Sequence, residues 1–151
     1  MTTTRSVALA LIVPLASIAW GDDSPNDSLD GTWLPTRAEL AGRPFPDEVR
    51  QSIRLEIQGD QYTVTVGERP DRGTCERNSS ANPKTLDITG VEGPNKGKTI
   101  LAIYERTGDT LRVCYDLGGK SRPSEFQTRE GTQLFLVEYK LRDKWKSCFY
   151  E

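Results

Sequence analysis

The chain has 151 residues, 35% of them hydrophobic and 28% charged, with a formal net charge of −2; this fits one ordinary soluble domain and excludes collagen-like and disordered classes. Its mildly acidic balance is unsuited to nucleic acid or anionic membrane surfaces. No histidine occurs in the sequence, which removes the commonest metal ligand and the commonest general base together, so the expectation is a protein that is not an enzyme and has neither a metal site nor a cofactor.

The first segment, MTTTRSVALALIVPLASIAWG, carries one positive charge at Arg5, an apolar run from Val7 to Leu15, and small residues at Ser17, Ala19 and Gly21. These are the features of a cleaved signal peptide over residues 1–21. The run falls short of the roughly 20 apolar residues that span a bilayer. The expected product is an exported protein, periplasmic or extracellular, with no membrane span. Residues 22–28 read as a polar, flexible leader.

The domain is expected over residues 29–142. GTWLPTRAEL is β-prone, and AGRPFPDEVRQS follows as a turn and one short helix, with Asp47 and Glu48 suited to a helix N-terminus. Ile53, Leu55 and Ile57 alternate with Arg54 and Glu56. Gly59-Asp60 then turns the chain into Tyr62, Val64 and Val66, alternating with Thr63 and Thr65. GTCER, TLDITG, TILAIYER, TLRVCYD and TQLFLVEYKLR continue the pattern, with ERPDRG, NSSANPK, EGPNKGK, TGD and GGKSRPSEFQTREG between them. In TILAIYER the two faces compete, Ile100, Ala102 and Tyr104 against Leu101 and Ile103, and the register stays open.

EGPNKGKT, residues 92–99, superficially matches a phosphate-binding loop. Gly93 and Gly97 enclose three residues where that loop needs four, and two strands joined at Thr107-Gly108-Asp109 follow in place of a helix. It reads as a turn. The carboxylate pairs Asp22-Asp23, Asp47-Glu48 and Glu125 with Glu130 lack an apolar setting that would separate their pKa values, and read as solvated surface charge.

About eight strands with links too short for helical crossovers predict an all-β, antiparallel up-and-down barrel, which removes exposed sheet edges. The better apolar faces would point inward, including Ile53, Leu55, Ile57, Tyr62, Val64, Val66, Leu111, Val113, Tyr115, Phe135, Val137, Tyr139 and Leu141. Arg112, Glu138 and Lys140 would face water.

LDGTW at Leu29 to Trp33 resembles the Gly-x-Trp opening of the lipocalins. Taken in order, LDGTW, Gly42 and Pro44 of AGRPFP, IQGDQYTV, Pro83-Lys84-x-Leu86-Asp87-Ile88, EGPNKGKT, IYERTGDTLRVCY and SRPSEF resemble a lipocalin-like domain family abundant in exported planctomycete proteins. The resemblance spans roughly Leu29 to Leu141 and implies a lipocalin-like barrel. It implies no activity. It further implies that Gly31 and Trp33 plug one end of the barrel, with Arg142 over the indole and Lys140 as the weaker alternative. By the same resemblance Cys75 would bridge to Cys148, tying the tail, residues 143–151, to the barrel wall and leaving Cys114 a free thiol. A Cys114 to Cys148 bridge is the competing pairing.

Two functions fit such a barrel. In the first, a small apolar or amphipathic ligand enters the barrel, lined by Tyr62, Val64, Tyr115, Phe135 and Tyr139, whose phenols supply polar handles in an apolar cup. In the second, the core is filled and the outer wall contacts an envelope protein through Leu134 and Leu136. An open cavity favours the first and a filled core the second.

Overall fold

The computed structural model describes residues 28–142. The expected signal peptide and the C-terminal tail with Cys148 lie outside the described residues. Nine strands and one helix follow in chain order: β1 (Gly31–Leu40), β2 (Arg43–Pro44), α1 (Asp47–Gln51), β3 (Ile53–Gln58), β4 (Gln61–Val66), β5 (Arg69–Asn78), β6 (Lys84–Glu92), β7 (Thr99–Thr107), β8 (Thr110–Asp116) and β9 (Leu134–Leu141). Each of β3 to β8 pairs antiparallel with its successor, β1 pairs with β3, and β1 also pairs with β9. Eight strands therefore close into an up-and-down barrel. The ninth, β2, is a two-residue strand paired only to the end of β1.

The alternation read from sequence produces this wall. Leu55, Ile57, Tyr62, Leu111, Val113, Tyr115, Val137 and Tyr139 point into one core, with Val64, Phe135 and Leu141 packed against it. The hairpin turns fall at Gly59-Asp60 and Gly108-Asp109, as the glycine and aspartate signals require. The open register of β7 resolves with Ile100, Ala102 and Tyr104 inside, while Ile103 faces outward.

Two irregularities shape the upper end, where β2, α1 and the links 67–68, 93–98 and 117–133 lie. Pro35 has no N–H to give the β1–β9 ladder, and the register shifts there, between Pro35 and Arg37. Thr36, the extra residue, donates its hydroxyl to the Glu138 carbonyl at 3.2 Å. Above Trp33, β1 parts from β3, and Arg50 of α1 donates to the Pro35 carbonyl at 2.9 Å. The short helix thus supplies a hydrogen bond where the sheet partner has left.

The expected link ERPDRG is shorter than anticipated. Strand β5 begins at Arg69, immediately after a turn at Gly67-Glu68, so Asp71 lies within the wall. Among the described residues, no helix is long and apolar enough to cross a membrane.

Candidate ligand-binding cavity

The lower end of the barrel is filled. Trp33 is 0% exposed and donates its indole N–H to the Leu29 carbonyl at 2.8 Å. The Arg106 guanidinium lies 5.3 Å from the Trp33 ring centroid and also donates to the Ser28 and Gly108 carbonyls. Arg106 holds the place expected of Arg142. Alternation explains the correction: the Arg142 N–H donates to the Thr32 carbonyl, and Thr32 faces away from the core because its neighbour Trp33 faces into it. Arg142 is accordingly exposed. Arg106 follows Tyr104 by two residues on the inward face of β7, a position legible in the sequence as an arginine continuing an apolar face. Lys140 pairs with Asp109 at 2.9 Å. Gly31 adopts φ +137°, and a Cβ there would lie 2.6 Å from a Leu141 methyl, so glycine is required beneath the plug.

Above this floor the barrel is hollow. A cavity of about 270 Å³ is bounded by side chains from β3 to β9 and by Phe45. All five residues expected to line a ligand site, Tyr62, Val64, Tyr115, Phe135 and Tyr139, border it. From β5 it is bordered by Asp71 and Cys75, while at Gly73 between them the Thr89 carbonyl oxygen and the Tyr62 ring stand 2.0 and 2.8 Å from where a Cβ would lie, so glycine there lets β6 and Tyr62 pack close. The cavity reaches solvent at the upper end, where Val66 and Leu117 line it and remain 48% and 42% exposed. Phe45 and Tyr115 pack on Phe135 with centroids 5.3 and 5.8 Å away, forming an aromatic side to the cup.

Two polar groups interrupt the apolar lining. The Tyr115 and Tyr139 hydroxyls lie 3.2 Å apart. Burial pushes the Tyr139 hydroxyl up to about 12, its hydrogen bond with Tyr115 opposing, and burial likewise raises Tyr115 well above the ordinary phenol value. Both stay protonated at neutral pH.

The second group centres on Asp71, which is 5% exposed. Its carboxylate accepts from the Tyr62 hydroxyl at 3.1 Å, the Asn95 amide nitrogen at 3.0 Å and the Asn95 side-chain nitrogen at 2.8 Å. Burial and the Asp71 charge together raise the Tyr62 hydroxyl, keeping it a donor. Sequence reading missed Asp71 because Pro70 and Gly73 flank it in a charged stretch that resembles a loop. Its only signal was the period-two spacing of Asp71, Gly73 and Cys75.

Asn95 belongs to EGPNKGKT, which forms the connection from β6 into the first residue of β7. Its backbone N–H groups are used internally, from Lys96 to the Gly93 carbonyl, Gly97 to Gly90 and Lys98 to Asn95. Gly93, at φ +102°, lets the loop lie against Asp71, since a Cβ would come within 2.7 Å of the Pro70 carbonyl oxygen and 2.9 Å of the Asp71 Cα. The resemblance to a phosphate loop thus resolves into a clamp on the barrel wall.

The thiols lie on opposite faces of that wall. Cys75 is free, buried and directed into the cavity, whereas the expected bridge required it on the outer face; Cys148 lies outside the described residues. Cys114 is free and fully buried on the outer face, beneath the link 117–133, where its thiol lies 3.8 Å from the Gln127 carbonyl. Burial raises the pKa of both thiols. Phe126 of the same link packs with Ile103, Cys114 and Leu136, and Arg112 sits 4.3 Å from its ring centroid. Leu136, expected as an exposed anchor, is therefore covered, at 6% exposure.

Of the carboxylates considered from sequence, Asp47 pairs with Arg50 at 3.2 Å, Glu125 with Arg129 at 3.6 Å and Glu130 with Arg43 at 3.5 Å at the surface, while Asp22-Asp23 lies outside the described residues. Among the described residues, no group of three or more Cys, Asp or Glu is arranged to hold a metal ion. The closed eight-stranded antiparallel barrel is consistent with a lipocalin-like fold. No protein-family model, curated protein or solved structure matches the chain.

Proposed function

We propose that the chain is an exported binding module whose barrel takes up a small apolar or amphipathic molecule through its upper end. The observation that carries this reading is the apolar cavity of about 270 Å³, open between Val66 and Leu117. An eight-stranded barrel is just wide enough either to be filled or to hold one small ligand. The volume lies slightly below the range of about 300 to 1,000 Å³ usual for drug-sized ligands, which suits a smaller molecule. The order of motifs from LDGTW to SRPSEF supports grouping the chain with exported lipocalin-like domains. The segment before the barrel supports delivery to the periplasm or beyond, and a sequence without histidine supports a non-catalytic role.

The alternative, a filled barrel acting through its outer wall, loses one of its two anchors, since Leu136 lies beneath the link 117–133 and only the half-buried Leu134 remains. The test is titration of the mature protein with the apolar fluorophore N-phenyl-1-naphthylamine. Saturable one-site binding is expected, and Val64→Trp, which places an indole in the cavity, should abolish it. Binding that ignores this substitution, or no binding at millimolar protein, refutes the reading. Native mass spectrometry of protein from its own host should then carry the ligand's mass.

A further inference from the structure

We propose that the ligand is cationic at one end: a small apolar molecule bearing a protonated amine, seated with that amine against the Asp71 carboxylate. This rests on the cavity reading and adds the chemistry of the head group to it.

The argument begins with a charge that lacks a counter-charge. Asp71 borders the cavity and is 5% exposed. Among the described residues no lysine or arginine forms an ion pair with it; its contacts are the three hydrogen bonds from Tyr62 and Asn95. The cations nearest in sequence do not pair with it. Arg72 pairs with Glu92 at 3.3 Å, and Arg69, Lys96 and Lys98 are exposed. A buried anion beside apolar surface is costly unless it is hydrogen-bonded and paired.

Clamping the loop 93–98 accounts for the three acceptor contacts but leaves the charge itself unmatched. A carboxylate offers about four acceptor positions, so one remains for a ligand donor. The rest of the site agrees with such a guest. Aromatic side chains of Phe45, Tyr115 and Phe135 face the same cavity, and aromatic faces attract cations as well as apolar groups. A carboxylate-headed ligand would meet Asp71 as a like charge in a poorly solvated space. Selectivity should therefore run from amine through alcohol to acid.

Three ligands of similar size separate these possibilities at pH 7: 2-phenylethylamine, 2-phenylethanol and phenylacetate, each titrated calorimetrically into the mature protein. Because hydrogen bonds to charged groups are the stronger class, the amine should bind about tenfold or more tighter than the alcohol, with the acid weakest. Asp71→Asn should bring amine and alcohol to near equality. If that variant does not fold, the Asn95 amide and side-chain NH resonances of the wild type replace it. They should shift on adding amine and stay in place on adding alcohol. An amine no tighter than the alcohol, an acid as tight as the amine, or an amine preference that survives Asp71→Asn overturns the head-group assignment and leaves the cavity reading standing. The same holds if N-phenyl-1-naphthylamine saturates the cavity while all three ligands fail. If that probe fails as well, both readings fall.

Discussion

The two ends of this barrel share the same eight strands yet solve opposite problems. At the lower end Trp33, Leu29 and Leu111, each 0% exposed, fill the cross-section, and Arg106 closes it over the indole. Above it the cross-section stays open, bordered by Asp71 and Cys75 of β5 and reaching solvent past Val66 and Leu117. Backbone closure is therefore indifferent to whether a barrel is solid or hollow. The side chains at each level decide it, and stability and binding are expected to map to different ends.

Removing the plug gives the largest expected effect. Trp33→Ala should destabilise by about 3 to 5 kcal/mol, as truncation of a large core aromatic does, measured by chemical denaturation. A cost below about 1 kcal/mol would mean that the lower end is not the stabilising one.

Alkaline pH should act on the upper end. The folded Tyr139 hydroxyl is raised to about 12 from an ordinary value of 10.0, and Tyr115 beside it is raised as well. A raised acid stabilises the fold fully below its unfolded value and loses that contribution as pH climbs to the folded one. Stability should therefore fall between about pH 10 and 12, and Tyr139→Phe should flatten the decline. An identical slope in the variant would remove the phenols as its cause.

Arg106→Ala should cost about 1 to 2 kcal/mol, through loss of the guanidinium over Trp33 and of the hydrogen bonds to Ser28 and Gly108. Arg142→Ala should be near neutral. Equal losses for the two would contradict the assignment of the lid. A small stability change, under about 1 kcal/mol, is expected for Cys75→Leu, which adds apolar volume to existing space. It should nonetheless weaken binding of N-phenyl-1-naphthylamine at least tenfold. Together these two variants sharpen the contrast, one altering stability without binding and the other binding without stability.

Period-two alternation carried most of the fold into view, since β3, β4, β8 and β9 each bury one face and need little else to define them. It failed where a local rule was broken or where both faces are buried. The turn at Ala41-Gly42 was read from AGRP, but the two-residue strand β2 that follows it was not, because Arg43 and Pro44 carry no alternation of their own; Ala41 takes φ +52° beside Gly42 at φ +78°. Strand β7 was ambiguous because Ile103 is covered outside by Phe126 while Ala102 and Tyr104 are covered inside. Its two apolar faces record a wall clad on both sides. The cavity's aromatic lining was legible from the same alternation. Its polar centre was not, because Asp71 falls in the charged ERPDRG stretch, which reads as a link before the strand GTCER until its neighbours are in place. The arginine over Trp33 was misplaced because a resemblance supplied it where the local face of β7 already pointed to Arg106.

One consequence follows from the placing of the two thiols. Cys75 looks inward from β5 and Cys114 outward from β8, beneath the link 117–133. The sheet stands between them as a partition that no rotation of either side chain crosses. In an oxidising compartment free thiols are liable to exchange, but each is shielded by a different barrier: the barrel mouth and any guest for Cys75, and the overlying link for Cys114. Their rates of alkylation should accordingly respond to different perturbations. Ligand occupancy would slow the first alone and loosening of the link would quicken the second alone, so these two thiols report on the inside and the outside of the barrel wall separately.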